Sequence, residues 1–391
     1  MEQQFLMRKV LLLGASGSIG GQAIDIIDEA MDRFTLVAFS VGKNFEKARE
    51  ILKTHRDVKS IFIISKENAE KIHKEFPNVT VYYGKKGLAK LTRNAEYDMC
   101  VDALVGFSGF EPATLALKRD KILCLANKEA LVAGGTVINS ILSKGKGKLY
   151  PIDSEHVAIA KCLANCKRED VKRILITASG GALRNVPLDE LKDVKAEQAL
   201  KHPTWKMGNK ITIDCATMMN KGFEVIEAKW LFDMAPSDIN VVVQPESVIH
   251  SMIEFEDGAV VAQMGCPDMR EPIQFALGFP QRLPLNNKKL DFFSLGSISF
   301  ERPDMEKFPA LRLAFDAIER GGNIPCALNA ANEAAVAAFL AGRLDFYGIS
   351  DVVGTCIAGA DFVAEPTLEQ VFETHNQVFT KAKELIDGRI V

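Results

Sequence analysis

The sequence predicts an α/β protein in three parts. A doubly wound parallel sheet covers residues 1–150, an α+β region covers 151–285, and a 286–310 linker leads to an all-helical region over 311–391. Three observations predict this. Short β-branched runs alternate with helical stretches through the first 150 residues. Beyond them, strand-like runs are joined by irregular polar loops and one hairpin signal. After Phe308-Pro309 the apolar spacing is helical to the end.

The first strand is Lys9–Leu13. Gly14–Gly20 leads from it into a helix carrying Ile24, Ile26 and Ile27. Thr35–Phe39, Ser60–Ile64, Met99–Ala103, Lys121–Ala126 and Lys148–Ile152 continue the strand rhythm. Strand–helix alternation of this kind argues for parallel pairing through crossovers. Arg173–Ala178 and Asn240–Val243 read as strands of the second region. Val248–Phe255 and Ala259–Met264 read as a hairpin around Glu256-Asp257-Gly258. From about residue 281 to 310 the chain is rich in Pro, Asn and Lys, which suits a linker. Leu311–Glu319, Ala327–Leu340, Val352–Phe362 and Leu368–Ile386 suit a helical domain. There is no internal repeat.

Composition bounds the function. A chain of 391 residues can bury more than one core. Hydrophobic and charged fractions of 47% and 25% exclude wholesale disorder. A net charge of −3 argues against nucleic acid held by bulk positive charge. No apolar run reaches the ~18 residues of a membrane span. Met1–Lys9 runs straight into an apolar strand and carries no cleavable signal pattern. Eight cysteines are scattered without a CxxC pair, which fits reduced thiols and a cytoplasmic protein. Cys162 and Cys166 lie four apart without a second pair at zinc spacing, so packing explains them better than a metal.

Several segments can carry chemistry. Gly14, Gly17 and Gly20 follow a strand and open a helix, as the turn of a Rossmann-like dinucleotide site requires. The spacing is GxxGxxG rather than GxGxxG, and a plain turn is the alternative. After the second strand, Gly42-Lys43-Asn44 offers a cation and an amide where an acid would select NAD. That favours the 2′-phosphate of NADPH over a mere solvated lysine. Asn127-Lys128-Glu129 closes another strand, where open sheets bind ligands, and a plain N-terminal helix turn with a favourable Glu would look similar. Asp153, Ser154 and Glu155 close the next, and their oxygens suit Mg²⁺ or Mn²⁺. An ordinary helix cap would look the same. In Thr217–Phe232, Met219, Phe223, Ile226 and Trp230 form a core stripe. Asn220, Lys221 and Glu224 fall opposite it, either as a solvated face or as groups aimed into a cleft. Ser179 lies among small residues in Thr177–Gly181 and can meet an anion. His202–Gly208, with Trp205, can form a lid over a substrate or a loop that packs its Trp into the domain. His250 is as easily an interior histidine as a site residue, and His55, His73 and His375 receive no role.

In their order along the chain these segments resemble the 1-deoxy-D-xylulose 5-phosphate reductoisomerase family. The matching stretches are Gly14–Gly20, Leu125–Glu129, Asp153–His156, Ser179–Gly181, His202–Gly208, Ala216–Gly222, Ser247–Ser251 and Ala327–Glu333. The resemblance implies an NADPH-dependent rearrangement and reduction of a phosphosugar in the non-mevalonate isoprenoid pathway. Ser16, Gly17, Ser18 and Ile19 would face the cofactor's pyrophosphate, and Gly42, Lys43 and Asn44 its adenosine phosphate. Asn127, Glu129 and Gly208 would also touch NADPH. Asp153, Glu155 and Glu224 would hold one divalent ion (Mg²⁺ or Mn²⁺, with Co²⁺ also admissible). Lys128, Ser154 and Glu155 would meet the substrate's carbonyl and hydroxyl region. Ser179, His202, Asn220 and Lys221 would hold its phosphate under a lid containing Trp205. The family forms homodimers with a C-terminal helical domain. One departure stands out: Cys215 occupies the position of a serine whose hydroxyl contacts the phosphate. An NADP-binding sensor would explain the glycine loop and Lys43, and a metal-free dehydrogenase would leave Glu224 without a task.

Overall fold

Residues 7–164 and 166–388 are described by the computed structural model, so the lead Met1–Leu6 lies outside the described residues. The chain divides into two compact units, each assembled from three segments. The first comprises residues 1–127, 138–153 and 268–285; the second comprises 128–137, 154–267 and 286–391.

The first unit is built on a seven-stranded sheet. Its strands are β1 (Arg8–Leu13), β2 (Phe34–Ser40), β3 (Ser60–Phe62), β4 (Thr80–Tyr82), β5 (Met99–Asp102), β6 (Ile122–Leu125) and β7 (Lys148–Pro151). All pairings are parallel and the order is β4-β3-β2-β1-β5-β6-β7. Val10, Leu11, Leu12 and Leu13 are all fully buried, because helices cover both faces of a doubly wound sheet. Those helices include α1 (Ser18–Glu29), α2 (Phe45–Thr54), α3 (Lys66–Glu75), α4 (Gly87–Asn94) and α5 (Phe110–Lys118). The strand order reverses between β1 and β5, which is where such sheets bind ligands. The three-residue β4 has no counterpart in the sequence reading; it is too short to show a period and none of it is buried.

The chain leaves this unit at Asn127, through the start of α6 (Lys128–Lys144), a helix kinked at Gly134. It returns at Ile138, and leaves again at the start of α7 (Ser154–Leu163).

The second unit carries a sheet of β8 (Val171–Ala178), β9 (Ile239–Val243), β10 (Ile249–Phe255) and β11 (Val260–Met264), in the order β11-β10-β8-β9. Only β8 and β9 pair in parallel. Between them lie α8 (Ala196–Ala199), α9 (Asn209–Ala216) and α10 (Met219–Phe232). The segment 268–285, placed with the second region by composition, belongs by contact to the first unit. It carries α11 (Arg270–Gly278), whose Ile273, Ala276 and Leu277 are fully buried against α1, β6 and β7. Arg8 reaches across to the Leu277 carbonyl at 3.1 Å. The 286–310 stretch is largely exposed, contains the short α12 (Phe292–Leu295), and touches the second sheet through a Glu301–Val243 bridge.

Four helices close the second unit: α13 (Pro309–Arg320), α14 (Ile324–Leu340), α15 (Phe346–Ala358) and α16 (Leu368–Asp387). They share one apolar core with β8, β9, α9 and α10. α15 begins earlier than the sequence reading has it and ends before Phe362. Asp345 caps it by accepting the Gly348 N–H at 2.6 Å, a start signal the apolar spacing does not carry.

Candidate active site

In the first unit, two glycines of the loop after β1 are required by space. Gly14 has φ +85°, and a Cβ there would stand 2.5 Å from the Ala103 carbonyl oxygen. A Cβ on Gly20 would overlap the Gly14 carbonyl. The Gly14 N–H donates to Ser40 Oγ at 2.9 Å. This geometry leaves Ser16, Gly17 and Ser18 exposed at the N-terminus of the twelve-residue α1, with Ile19 half-buried behind them. Unpaired backbone N–H groups there suit a pyrophosphate. At the end of β2, Gly42 is half-buried and Lys43 is exposed. Asn44 caps α2, accepting the Lys47 N–H at 3.0 Å. Asn127 is buried at the end of β6, and its amide donates to the Leu104 and Gly106 carbonyls at 3.0 and 2.8 Å. It therefore holds the loop that follows β5.

In the second unit, three helix starts bring a set of charged groups together. Lys128 opens α6, Ser154 and Glu155 open α7, and Asn220, Lys221 and Glu224 lie on one side of α10. Lys128 Nζ donates to Asn220 Oδ1 at 2.8 Å and to Glu224 Oε1 at 3.1 Å. The Asn220 amide donates to Glu224 Oε1 at 2.6 Å. Lys221 Nζ donates to Glu155 Oε1 at 2.8 Å and also to Glu224. Ser154 Oγ donates to the other Glu155 oxygen at 2.6 Å.

Asn220, Lys221 and Glu224 are all buried, so this side of α10 is not a solvated face. Buried charge is tolerated because each ion meets an opposite one. Burial by itself would lower the Lys221 pKa, but Glu155 and Glu224 outweigh it and hold the ammonium above its usual value. The opposite stripe of Met219, Phe223 and Ile226 is core, while Trp230 is only half-buried. Met218, between α9 and α10, adopts φ +65°, a left-handed conformation that costs a non-glycine residue energy. It stands at the N-cap of α10.

Behind this cluster lies a histidine the sequence reading left without a role. His156 is fully buried, with Nε2 3.0 Å from the Glu224 carbonyl oxygen and Nδ1 3.4 Å from Glu227 Oε2. Its position directly after Glu155 was its only local signal.

A second group lies around the loop after β8. Gly180 and Gly181 both have positive φ, +84° and +72°, and Ser179 precedes them. His202 Nδ1 accepts the backbone N–H groups of Thr204 at 3.2 Å and Trp205 at 3.0 Å. That assigns the ring proton to Nε2, which lies 3.1 Å from Ser179 Oγ. Burial holds His202 below the usual histidine pKa, so the ring is a neutral N–H donor. Trp205 is half-buried, its ring centroid 6.5 Å from that of His250. Burial also lowers the His250 pKa. Cys215 sits half-buried in the last turn of α9, and burial pushes its thiol up to about 12.

Comparison with known proteins adds to this geometry. Three family models match the chain. They are 1-deoxy-D-xylulose 5-phosphate reductoisomerase over residues 10–135, that family's C-terminal domain over 149–232, and a further DXP reductoisomerase C-terminal domain over 264–380. A 1-deoxy-D-xylulose 5-phosphate reductoisomerase from a Geobacillus species is 45% identical over 369 residues, covering 94% of this chain and 97% of that protein. The chain belongs to the 1-deoxy-D-xylulose 5-phosphate reductoisomerase family. A reductoisomerase from Bacteroides thetaiotaomicron is 42% identical over 98% of this chain and 99% of its own. The fold agrees. The Zymomonas mobilis reductoisomerase, solved in complex with NADPH, superposes with a TM-score of 0.90 at 38% identity, over 97% of this chain and 99% of that one. A DOX-P reductoisomerase in complex with NADPH, fosmidomycin and magnesium superposes with a TM-score of 0.92 at 33% identity, over 97% of this chain and 98% of that one.

The reductoisomerase-like residues thus fall into three groups. Ser16–Ile19, Gly42–Asn44 and Asn127 belong to the first unit. Lys128, Ser154, Glu155, Asn220, Lys221 and Glu224 interlock in the second, as do Ser179, His202 and the backbone of Trp205. Glu129 meets Lys210 at 2.7 Å. Gly208 is the N-cap of α9.

Proposed function

We propose that this chain converts 1-deoxy-D-xylulose 5-phosphate to 2-C-methyl-D-erythritol 4-phosphate with NADPH and a divalent metal ion, supplying isoprenoid precursors. The observation that carries the reading is the interlocked Lys128–Asn220–Glu224–Lys221–Glu155 cluster in a chain of this family. The solved relative whose complex names NADPH, fosmidomycin and magnesium supports the cofactor and metal assignment.

Glu155 and Glu224 offer only oxygen donors, and Asp153 stands one residue before α7, two before Glu155. That donor set fits a hard divalent ion. With Asp153 these make three carboxylates against the two ammonium groups of Lys128 and Lys221, which leaves one negative charge for a cation to balance. When bound, the ion supplies Lewis-acid polarisation of the ketose carbonyl and its neighbouring hydroxyl. Mg²⁺ is the first choice; Mn²⁺ and Co²⁺ suit the same donors.

The chain's own residues would do the rest. Lys128 presents an ammonium where negative charge develops on the substrate oxygen as one carbon–carbon bond is exchanged for another. Ser154 and Glu155 orient the hydroxyl region. Ser179, His202, Asn220 and Lys221 hold the phosphate, His202 as a neutral donor through Nε2. Trp205 would exclude water from the branched aldehyde, and bound NADPH would supply the hydride. NADPH binding falls mainly to the unit of residues 1–127, 138–153 and 268–285, and catalysis mainly to the unit of residues 128–137, 154–267 and 286–391, which ends in the helical 311–391. The protein works in the cytoplasm as a homodimer. Exposed Val260 and Val261 on the edge strand β11, with exposed Phe292 and Phe293, supply apolar surface for a second copy to cover. Among the described residues no helix is long and apolar enough to cross a membrane.

An NADPH-oxidation assay tests the whole reading. Oxidation is expected only with 1-deoxy-D-xylulose 5-phosphate and Mg²⁺ or Mn²⁺ together. Oxidation that ignores the metal, or none with both present, overturns it.

Two variants test single residues. Lys43→Ala removes an exposed cation next to the α2 cap. The KM for NADPH is expected to rise about tenfold, as for loss of one charge-assisted contact, with little change for NADH. Equal effects on both cofactors would reject the 2′-phosphate role.

Cys215→Ser restores the family's hydroxyl. The neutral thiol is a weak donor, and one added hydrogen bond is worth ~1 kcal/mol, somewhat under tenfold in affinity. The substrate KM is expected to fall several-fold with kcat nearly unchanged, because distant phosphate contacts supply uniform binding. A lower Tm with an unmoved KM would instead make Cys215 a packing residue.

A further inference from the structure

An ionic cluster lies outside the substrate and metal chemistry described above. Lys210, in the first turn of α9, donates from Nζ to Glu129 Oε1 at 2.7 Å and lies 2.8 Å from Asp214 Oδ2. The other Asp214 oxygen accepts the Asn332 amide at 2.8 Å. The ammonium also stands 4.8 Å from the centroid of the Phe223 ring. One continuous path therefore runs Glu129–Lys210–Asp214–Asn332, from α6 through α9 to α14. Side-chain exposures of 9% for Glu129, 17% for Lys210 and 2% for Asp214 make it an interior feature.

Glu129 and Lys210 keep their charge. Burial alone would raise the Glu129 carboxyl, yet the charge and hydrogen bond of Lys210 hold it below its usual value. Burial alone would lower the Lys210 ammonium, yet Asp214 and Glu129 hold it above. Buried ion networks seldom add net stability over apolar side chains of the same volume. What they do well is fix geometry, and the residues fixed here are telling. Glu129 follows Lys128 directly. Lys210 stands two residues after Gly208, whose carbonyl accepts both the N–H and the hydroxyl of Thr212, at 3.1 and 2.9 Å. Asn332 belongs to the Ala327–Glu333 segment, for which the reaction provides no task.

We infer that Lys210 is a positioning residue for the cofactor: it ties the Glu129 carboxylate to the turn that begins at Gly208, so that two NADPH contacts on different helices are held as one unit, with Asp214 and Asn332 bracing it from the helical end. The inference rests on the reading of Glu129 and Gly208 as cofactor contacts. It goes beyond that reading by assigning a role to Lys210, Asp214 and Asn332, none of which it includes.

The test measures NADPH affinity directly, by the change in NADPH fluorescence on titrating the full-length protein without substrate or metal. Lys210→Met keeps the apolar stem and removes the charge. Its Kd for NADPH is expected to rise about tenfold, while the substrate KM at saturating NADPH moves less than twofold. Lys210→Arg should recover most of the affinity. Asn332→Ala, a milder change that keeps all charges, should weaken NADPH two- to fourfold and serves if Lys210→Met folds poorly. Glu129→Gln should weaken NADPH like Lys210→Met, and the double variant should be no worse than the weaker-binding single one, because both break the same contact.

An unchanged Kd in Lys210→Met and Asn332→Ala, with a raised Kd in Glu129→Gln, overturns the positioning role alone. An unchanged Kd in Glu129→Gln overturns the cofactor reading beneath it. A rise in NADPH Kd matched by an equal rise in substrate KM and a lower Tm makes the cluster merely structural.

Discussion

Replacing Glu224 with glutamine is expected to lower turnover at least ~100-fold at low Mg²⁺ while leaving the Kd for NADPH unchanged. The expectation comes from how many groups converge on this one carboxylate. Lys128 and Asn220 donate to one oxygen and Lys221 to the other. Glutamine keeps the shape and one acceptor oxygen but removes the charge. Any cation held there loses a third of its carboxylate ligands, and Lys128 loses its ion pair with Glu224. Lys221 keeps Glu155. Part of the activity should return at high Mg²⁺, since mass action compensates a weakened site. Steady-state rates across a Mg²⁺ series, with NADPH fluorescence as the binding control, check this. Near-normal turnover at low Mg²⁺ would remove Glu224 from the metal site. Taking one charge from a buried network destabilises by up to ~3–5 kcal/mol, so the variant should also melt earlier, and assays belong well below its Tm.

Gly222→Ala is expected to cost roughly 3–10 °C in Tm and more than tenfold in turnover. A Cβ on Gly222 would overlap the Ala314 Cβ of α13, where both helices are packed in the core. Neither side can yield by rotating a side chain, because both groups are a single methyl on backbone. α10 must move away from α13, and Asn220, Lys221 and Glu224 move with it. Overpacking of this kind costs ~1–3 kcal/mol, and a displacement near 1 Å in a reacting constellation can cost ~100-fold in rate. The companion Ala314→Gly should restore both Tm and turnover in the double variant, since it reopens the same space from the other side. Failure of the double variant to recover would mean that α10 is set by contacts elsewhere.

Much of this architecture was legible in the sequence, for local reasons. The β-branched runs placed the longer strands of both sheets to within a residue or two, because most of them bury at least one face and must repeat; β11, which buries none, was legible from its hairpin turn. β4 was not legible because three half-exposed residues carry no pattern. The spacing of Asn220, Lys221 and Glu224 was legible as one side of a helix. Its burial was not, because the groups that cover it, Lys128 and Glu155, lie 92 and 66 residues away from their partners in the chain. Lys210 is the sharper case. It forms an i,i+4 pair with Asp214, a signal common to any surface helix, and its decisive partner is 81 residues distant. The departure at Cys215 was legible only against a family pattern. The placement of residues 268–285 depends wholly on which apolar surface receives α11, and no local spacing encodes that choice.

That placement bears on how the protein is made. The first unit draws on residues 1–127, 138–153 and 268–285, so its sheet cannot be fully covered when its last strand has been synthesised. Translation at about 5–20 residues per second puts roughly 10–30 s between the emergence of residue 127 and that of residue 285. During that interval the nascent sheet lacks Ile273, Ala276 and Leu277, all of which end fully buried. The surface they will cover is open to solvent and to other chains. Vectorial folding, in which an N-terminal domain is finished before the next one begins, is closed to this chain. The first unit is completed from downstream, after all four strands of the second sheet have left the ribosome.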